Sequence, residues 1–232
     1  MQIKWIILLL AAALVVASCG DDRIVGGSGQ ITETGSVSLL VSAEIDGQED
    51  IGSGQFSTVV MVTISDSLGQ AVDDAAVTLV HSVFGALALS GDSLTPGEYS
   101  TTISSYSGGD YVLNVRRGTD SLIGARIFAP DIHQITFPTL ADTLDRQQPF
   151  TVTWSRQYEA EQVEVETRDY GPSLITGANP DDGDFALPAS HRARDDQRVR
   201  VWRTNTVDLM TGLAGSRIRA TIRNAIEPIV VQ

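Results

Sequence analysis

The chain has one cysteine, one lysine and three histidines among its 232 residues. With Cys19 alone, no intramolecular disulfide can form, so any core must hold without a covalent staple. The scattered histidines, His81, His133 and His191, leave no Cys/His set of the kind that builds a zinc site. Lys4 is the only lysine, so every other cation is an arginine, and the 16 cations face 29 acidic residues for a formal net charge of −13. Such a balance argues against nucleic acid as a partner and for solubility through self-repulsion. Aromatic residues make up only 6%, yet 42% of the chain is hydrophobic, enough for one large core or two domains. No window sustains a 3.6-residue apolar period, which excludes a fold dominated by amphipathic helices.

The one long apolar run is N-terminal. In "MQIKWIILLLAAALVVASCGDD" a single positive charge precedes thirteen apolar residues, Trp5 to Ala17. This length suits the hydrophobic region of a signal peptide and falls short of the roughly 20 residues that span a bilayer. Val16-Ala17-Ser18-Cys19 resembles the bacterial lipobox. The resemblance implies cleavage before Cys19 and acylation of its sulfur and new amino group, with palmitate-type chains holding the protein on a bilayer. More than one chain is needed for stable anchoring. An ordinary secretory signal with a cysteine near its cut is the competing reading. Residues 1–18 are thus expected to be a signal peptide, and 19–35, rich in Gly, Asp, Ser and Thr, a lipid anchor and flexible tether. Gly20 after the cysteine resembles lipoproteins sent to the outer membrane, and Asp21 and Asp22 resemble those exported to the surface. The expected location is the bacterial cell envelope, periplasmic or surface-facing.

Beyond the tether, β-branched and alternating runs recur at sandwich spacing: "VSLLVSA", "STVVMVTIS", "AAVTLVH", "GEYSTTIS", "DYVLNVRR" and "LIGARIF". In "DYVLNVRR", Tyr111, Leu113 and Val115 share one face, as in a half-buried strand. The Asp66–Gly69 turn, the Ala75/Val77/Leu79 strand and the Gly97–Tyr99 strand follow in an order similar to bacterial Ig-like and carboxypeptidase-regulatory-like sandwiches. After a boundary at Ala129-Pro130-Asp131 come "IHQITFP", "PFTVTWS", "EQVEVETRD", "DGDFALPAS", "DQRVRVWRTNTVDL", "SRIRATIRNAI" and "IVVQ". Trp154 in "PFTVTWS" resembles the tryptophan-bearing strand of Ig and fibronectin-III-like domains. The expectation is an all-β chain of two tandem antiparallel sandwiches, residues 36–129 and 131–232.

Candidate chemistry is sparse. Gly91-Asp92-Ser93-Leu94 matches, as a string, the nucleophile block of the GDSL esterases. Those hydrolases need a later Asp-x-x-His, whereas the residues three before the histidines here are Thr78, Pro130 and Pro188. Ser93 therefore reads as part of a turn, with ester hydrolysis a distant alternative. Residues 192–223 hold eight arginines against Asp195, Asp196 and Asp208. Alternation places Arg198 and Arg200 opposite Val199 and Val201, and Arg217, Arg219 and Arg223 opposite Ile218, Ala220 and Ile222, while Glu164 and Glu166 share an outer face of their own strand. Cross-strand Arg–Glu pairs on a solvated sheet are the first reading, and an anion site for glycan carboxylate, phosphate or lipid headgroup the second. "NPDDGD" (Asp181, Asp182, Asp184) and "EIDGQED" (Glu44 to Asp50) carry the hard oxygens of calcium loops without EF-hand spacing. No cofactor is expected otherwise. These features suggest a non-catalytic binding or adhesion module for glycan or protein, or a structural subunit of an envelope complex.

Overall fold

The computed structural model describes residues 38–50, 53–170, 181–189 and 191–232. The signal peptide, Cys19 and the tether lie outside the described residues. Every regular element among the described residues is a strand, giving an all-β protein of two sandwiches.

The first sandwich opens with β1 (Leu39–Asp50) and β2 (Gln55–Asp66), antiparallel over their whole length. Strict alternation explains β1: Leu39, Val41, Ala43 and Ile45 point into the core, and Glu44 and Asp46 point out. The run Glu44–Asp50, expected as an acidic turn with calcium-loop character, is thus the second half of a strand. Pairing on both sides holds it extended, and pleating divides its carboxylates between two faces. At the end of β2, Asp66 Oδ1 accepts the amides of Leu68 (2.8 Å) and Gln70 (2.9 Å), and Gly69 takes a φ of +76° that closes the turn. Then follow β3 (Ala76–His81), β4 (Gly85–Gly91), β5 (Glu98–Ile103), β6 (Gly109–Arg117) and β7 (Asp120–Ala129). Strand β4 turns the corner of the sandwich, pairing with β3 up to Leu89 and with β5 at Ser90 and Gly91. Tyr111, Leu113 and Val115 of β6 meet Leu122 and Ile127 of β7 in the closed core.

In the second sandwich, β8 (Gln134–Phe137), β10 (Phe150–Ser155) and β12 (Asp184–Leu187) form a three-stranded sheet. It packs on β11 (Gln162–Thr167), β13 (Arg194–Asp208) and β14 (Arg217–Val231), with the short β9 (Thr143–Leu144) beside the end of β14. Strand β14 joins the expected "SRIRATIRNAI" and "IVVQ" into one 15-residue strand. Pro228 suggests a break between them because it lacks an N–H. The ladder with β13 tolerates it through register shifts around Gln197.

The hairpin β13–β14 belongs to both sandwiches. Val199, Val201, Ile229 and Val231 lie in the second core, whereas Val207, Leu209, Ile218 and Ala220 lie in the first. Strand β14 also pairs in parallel with β1, from Ser42–Arg217 to Gln48–Arg223, an exception to antiparallel pairing. The result is one continuous sheet in the order β11-β13-β14-β1-β2-β5-β4-β3-β6-β7, crossing the Ala129–Asp131 division.

Where the two cores meet, the buried face turns polar. Arg203 has no solvent exposure; its Nε donates to Asp181 Oδ2 at 2.8 Å, its Nη1 to the Asp131 carbonyl at 2.9 Å, and its Nη2 to the Tyr158 carbonyl. Asp181 is equally buried and also accepts from Trp154 Nε1 and Ala160 N, each at 2.8 Å. The linker carbonyls of Phe128, Pro130 and His133 are taken by Asn205, Tyr106 and Asn224. The Tyr106 ring packs against Gly47, where any Cβ would collide with it.

Removing one partner of a buried ion pair leaves an uncompensated charge, so Arg203→Met and Asp181→Ala are each expected to destabilise by about 3–5 kcal/mol, with the double variant costing less than the sum. Urea unfolding of the four proteins checks this cycle. His133 is buried beside Arg203, and desolvation, reinforced by that guanidinium, pulls its pKa down to about 3. The folded state then binds fewer protons than the unfolded one between that value and the ordinary 6.5. Stability is therefore fully present above pH 6.5 and falls as pH drops, by up to about 1.4 kcal/mol per pH unit. Denaturation of wild type and His133→Gln from pH 7 to 4.5 should show a shallower slope in the variant.

Candidate functional site

On the outer face of the continuous sheet, cross-strand register builds a grid of polar side chains. Trp202 stands opposite Glu164 on one side and Arg223 on the other. Thr221 lies between Thr204 and Asp46, and Arg219 between Thr206 and Glu44. These side chains line a groove of about 260 Å³ containing Trp202, Glu164, Thr221, Asp46, Arg219 and Glu44. Trp202 is half-buried, its indole on the opposite side of β13 from Val201 and Arg203. The Asp46 carboxyl keeps contact with water but is partly desolvated in the groove, which raises its pKa despite the lowering influence of Arg223.

The five arginines singled out by sequence divide into two groups. Arg198 Nη2 lies 2.7 Å from Glu166 Oε1, and Arg200 Nη1 lies 3.7 Å from Glu166 Oε2, so two guanidiniums share one carboxylate. Burial, reinforced by Arg198, lowers the Arg200 pKa. Arg223 Nη2 donates to the neutral Gln48 Oε1 at 2.5 Å. Arg217 and Arg219 are exposed on the first-sandwich half of β14. Among the described residues, none of Glu44, Asp46, Glu164, Arg217 and Arg219 makes an ion pair. The expected Arg–Glu pairing thus occurs at Glu166 and not at Glu164. Around the groove, donors and acceptors remain open to a ligand.

The other sites named from sequence fall elsewhere. Asp181 is no calcium ligand: Arg203, Trp154 and Ala160 engage its oxygens inside the junction, while Asp182 and Asp184 are exposed. Among the described residues, no group of three or more His, Cys, Asp or Glu is placed to hold a metal ion. Ser93 lies in the exposed turn after β4, where Asp92 Oδ1 accepts the Leu94 amide at 2.8 Å. The three histidines are packed inside: His81 stacks on Tyr111 at 4.3 Å, His191 sits 4.9 Å from both Phe150 and Tyr170, and His133 lies in the junction. Burial lowers the pKa of His81 and His191 as well.

Two residues central to the structure escaped the sequence reading. Trp202 shares the alternation phase of Arg198 and Arg200, so its outer-face position was legible in "QRVRVWR". Arg203 falls in the opposite phase with Val199 and Val201. A charge on the apolar side of a strand is the signal that could have marked it as buried and paired.

Fold and face together define an all-β double sandwich with a polar, tryptophan-bearing groove across its continuous sheet. No protein-family model matches the sequence, and no curated protein matches it. Among solved structures it is similar to the fibronectin(III)-like modules of Clostridium thermocellum CbhA, at 11% identity and a TM-score of 0.26, over 86% of this chain and 94% of that one. It is also similar to the Yersinia pseudotuberculosis adhesin InvE, at 14% identity and a TM-score of 0.27, over 85% and 61% of the two chains. A third likeness, to E. coli alpha-2-macroglobulin in its native conformation, has 12% identity and a TM-score of 0.25, covering 79% of this chain and 14% of that one.

Proposed function

We propose that this chain is a non-catalytic lipoprotein of the bacterial cell envelope, held on the outer membrane through acylated Cys19, that binds glycan through the groove around Trp202. One observation carries the binding role: a half-exposed indole is set among unpaired carboxylates, a free guanidinium and a threonine hydroxyl on a sheet face. A tryptophan offers a large, rigid apolar surface with a polar edge, which suits the apolar face of a pyranose ring. Glu44, Asp46 and Glu164 can accept hydrogen bonds from sugar hydroxyls, and Arg219 and Thr221 can donate to ring and hydroxyl oxygens. Directional polar groups around an apolar platform fix the orientation of such a ligand. The groove is shallow and built on paired strands, so its geometry is set before a ligand arrives.

The anchor and the groove are tested separately. Cys19→Ala is expected to move the protein from the membrane fraction to the soluble fraction of lysed cells, as followed by immunoblot. Retention in the membrane through a washed, high-salt pellet would overturn the lipid anchor. For binding, titration of the full chain in detergent with oligosaccharides from envelope and plant cell-wall polysaccharides should quench tryptophan fluorescence. Trp202→Ala should weaken binding at least about tenfold, with Trp202→Phe retaining most of it and both variants melting close to wild type. Wild-type affinity in Trp202→Ala would remove the groove as the site. Failure of every glycan, together with cross-linking from this face to an envelope protein, would assign the chain to an envelope complex instead.

A further inference from the structure

The charges on the outer face are segregated on either side of Trp202. Toward β1 the groove presents Glu44 and Asp46 against Arg219, while Glu164 flanks Trp202 on the β11 side. Toward the start of β13 the cations outnumber the anions: Arg168, Arg198, Arg200 and Arg223 face Glu166, Glu227 and Asp196. Arg168 Nη2 is 3.4 Å from Glu227 Oε2, Arg198 takes Glu166 at 2.7 Å, and Arg223 has only an amide oxygen. Arg200 is left with one long contact, 3.7 Å to the far oxygen of Glu166, and its Nε is shielded from water without a hydrogen-bond partner.

Register shows where these groups converge. Arg200 stands opposite Ala225, and Trp202 opposite Arg223. These four positions occupy adjacent corners of a patch roughly 5 Å across the strands and 7 Å along them. Ala225 raises no side chain beyond its methyl group, so Arg200 across the ladder and Arg223 along the strand flank a position with no side chain of its own to fill it, with Trp202 diagonal to it. A planar fork of N–H donors matches a carboxylate in a way a point charge does not. A ring beside that fork, with a carboxylate held one bond from a pyranose, satisfies both features at once.

We infer that the patch formed by Arg200, Arg223 and Trp202 selects acidic glycans, binding the carboxylate of a uronic acid residue over Ala225 while the sugar ring stacks on Trp202. This rests on the reading of Trp202 as a glycan platform. Asp46 and Glu44, farther along the sheet than Trp202, enforce one orientation, since a uronate turned the other way would meet their carboxylates. A free phosphate or a lipid headgroup would satisfy the two arginines but leave the indole unused.

The full chain in detergent is titrated with oligogalacturonate and with the same oligomer fully methyl-esterified, which keeps the rings and removes the charge. Oligogalacturonate should bind about tenfold or more tighter. Arg200→Gln should abolish that preference by weakening acid binding far more than ester binding, and Arg200→Lys should restore it only in part. Thermal melting confirms that each variant is folded, and Arg223→Gln serves as a second variant if Arg200→Gln is not. Equal wild-type affinity for acid and ester, or an unchanged preference in the folded variants, overturns the inference and leaves the Trp202 platform standing. No binding of either oligomer overturns this uronate assignment, and the platform itself is then judged on the other glycans. Displacement of oligogalacturonate by glycerol 3-phosphate at equal concentration would assign the two arginines to a phosphate-bearing ligand and also overturn it.

Discussion

A guanidinium without access to water must find all its partners inside the protein, and Arg203 finds them on three separate segments. Asp181 supplies the counter-charge, Asp131 belongs to the linker between the sandwiches, and Tyr158 lies in the loop after β10. The desolvation cost of such a pair is large, so its geometry must be satisfied completely or the junction opens. Around it, Asn205, Asn224 and Tyr106 take the carbonyls that an interdomain linker would otherwise expose to solvent. Side chains of the last hairpin thereby fasten a connection that occurs some seventy residues earlier.

The same hairpin makes the outer face possible. Because β13 and β14 run through both sandwiches and β14 pairs with β1, side chains from β11, β13, β14 and β1 are brought into adjacent rows. Two independent domains on a flexible linker would separate Glu164 and Trp202 from Glu44 and Asp46. The polar junction under the sheet and the groove on top of it are two consequences of one strand: odd-numbered residues from Val199 to Asn205 face inward, and Arg200 and Trp202 face outward. Strain or loss at Arg203 would therefore be felt at Trp202, its neighbour in sequence on the opposite side.

Charge on this protein is arranged as well as abundant. Inside, Arg203 and Asp181 are matched and closed. Outside, Glu166 is oversubscribed by two arginines, whereas Glu164, two residues before it, has none. This uneven pairing differs from a solvated sheet on which Arg and Glu alternate as mutual partners.

Much of this was open to direct reading of the chain. The β class, nearly every strand, the Asp66–Gly69 turn and the outward phase of Arg198, Arg200, Arg217, Arg219 and Arg223 follow from alternation and turn chemistry, which are local properties of consecutive residues. Alternation shows which residues share a face of one strand, but not which strand comes next to it. For that reason Glu44–Asp50 resembled a loop, β14 looked like two strands, and Asp181 suggested a metal ligand before Arg203 was known to lie against it. The parallel pairing of β14 with β1, the placing of Trp202 between Glu164 and Arg223, and the crossing of both cores by one hairpin are contacts between distant segments. Only the tertiary structure could decide them, because the free energy that selects each pairing comes from partners more than a hundred residues away in β1 and β14.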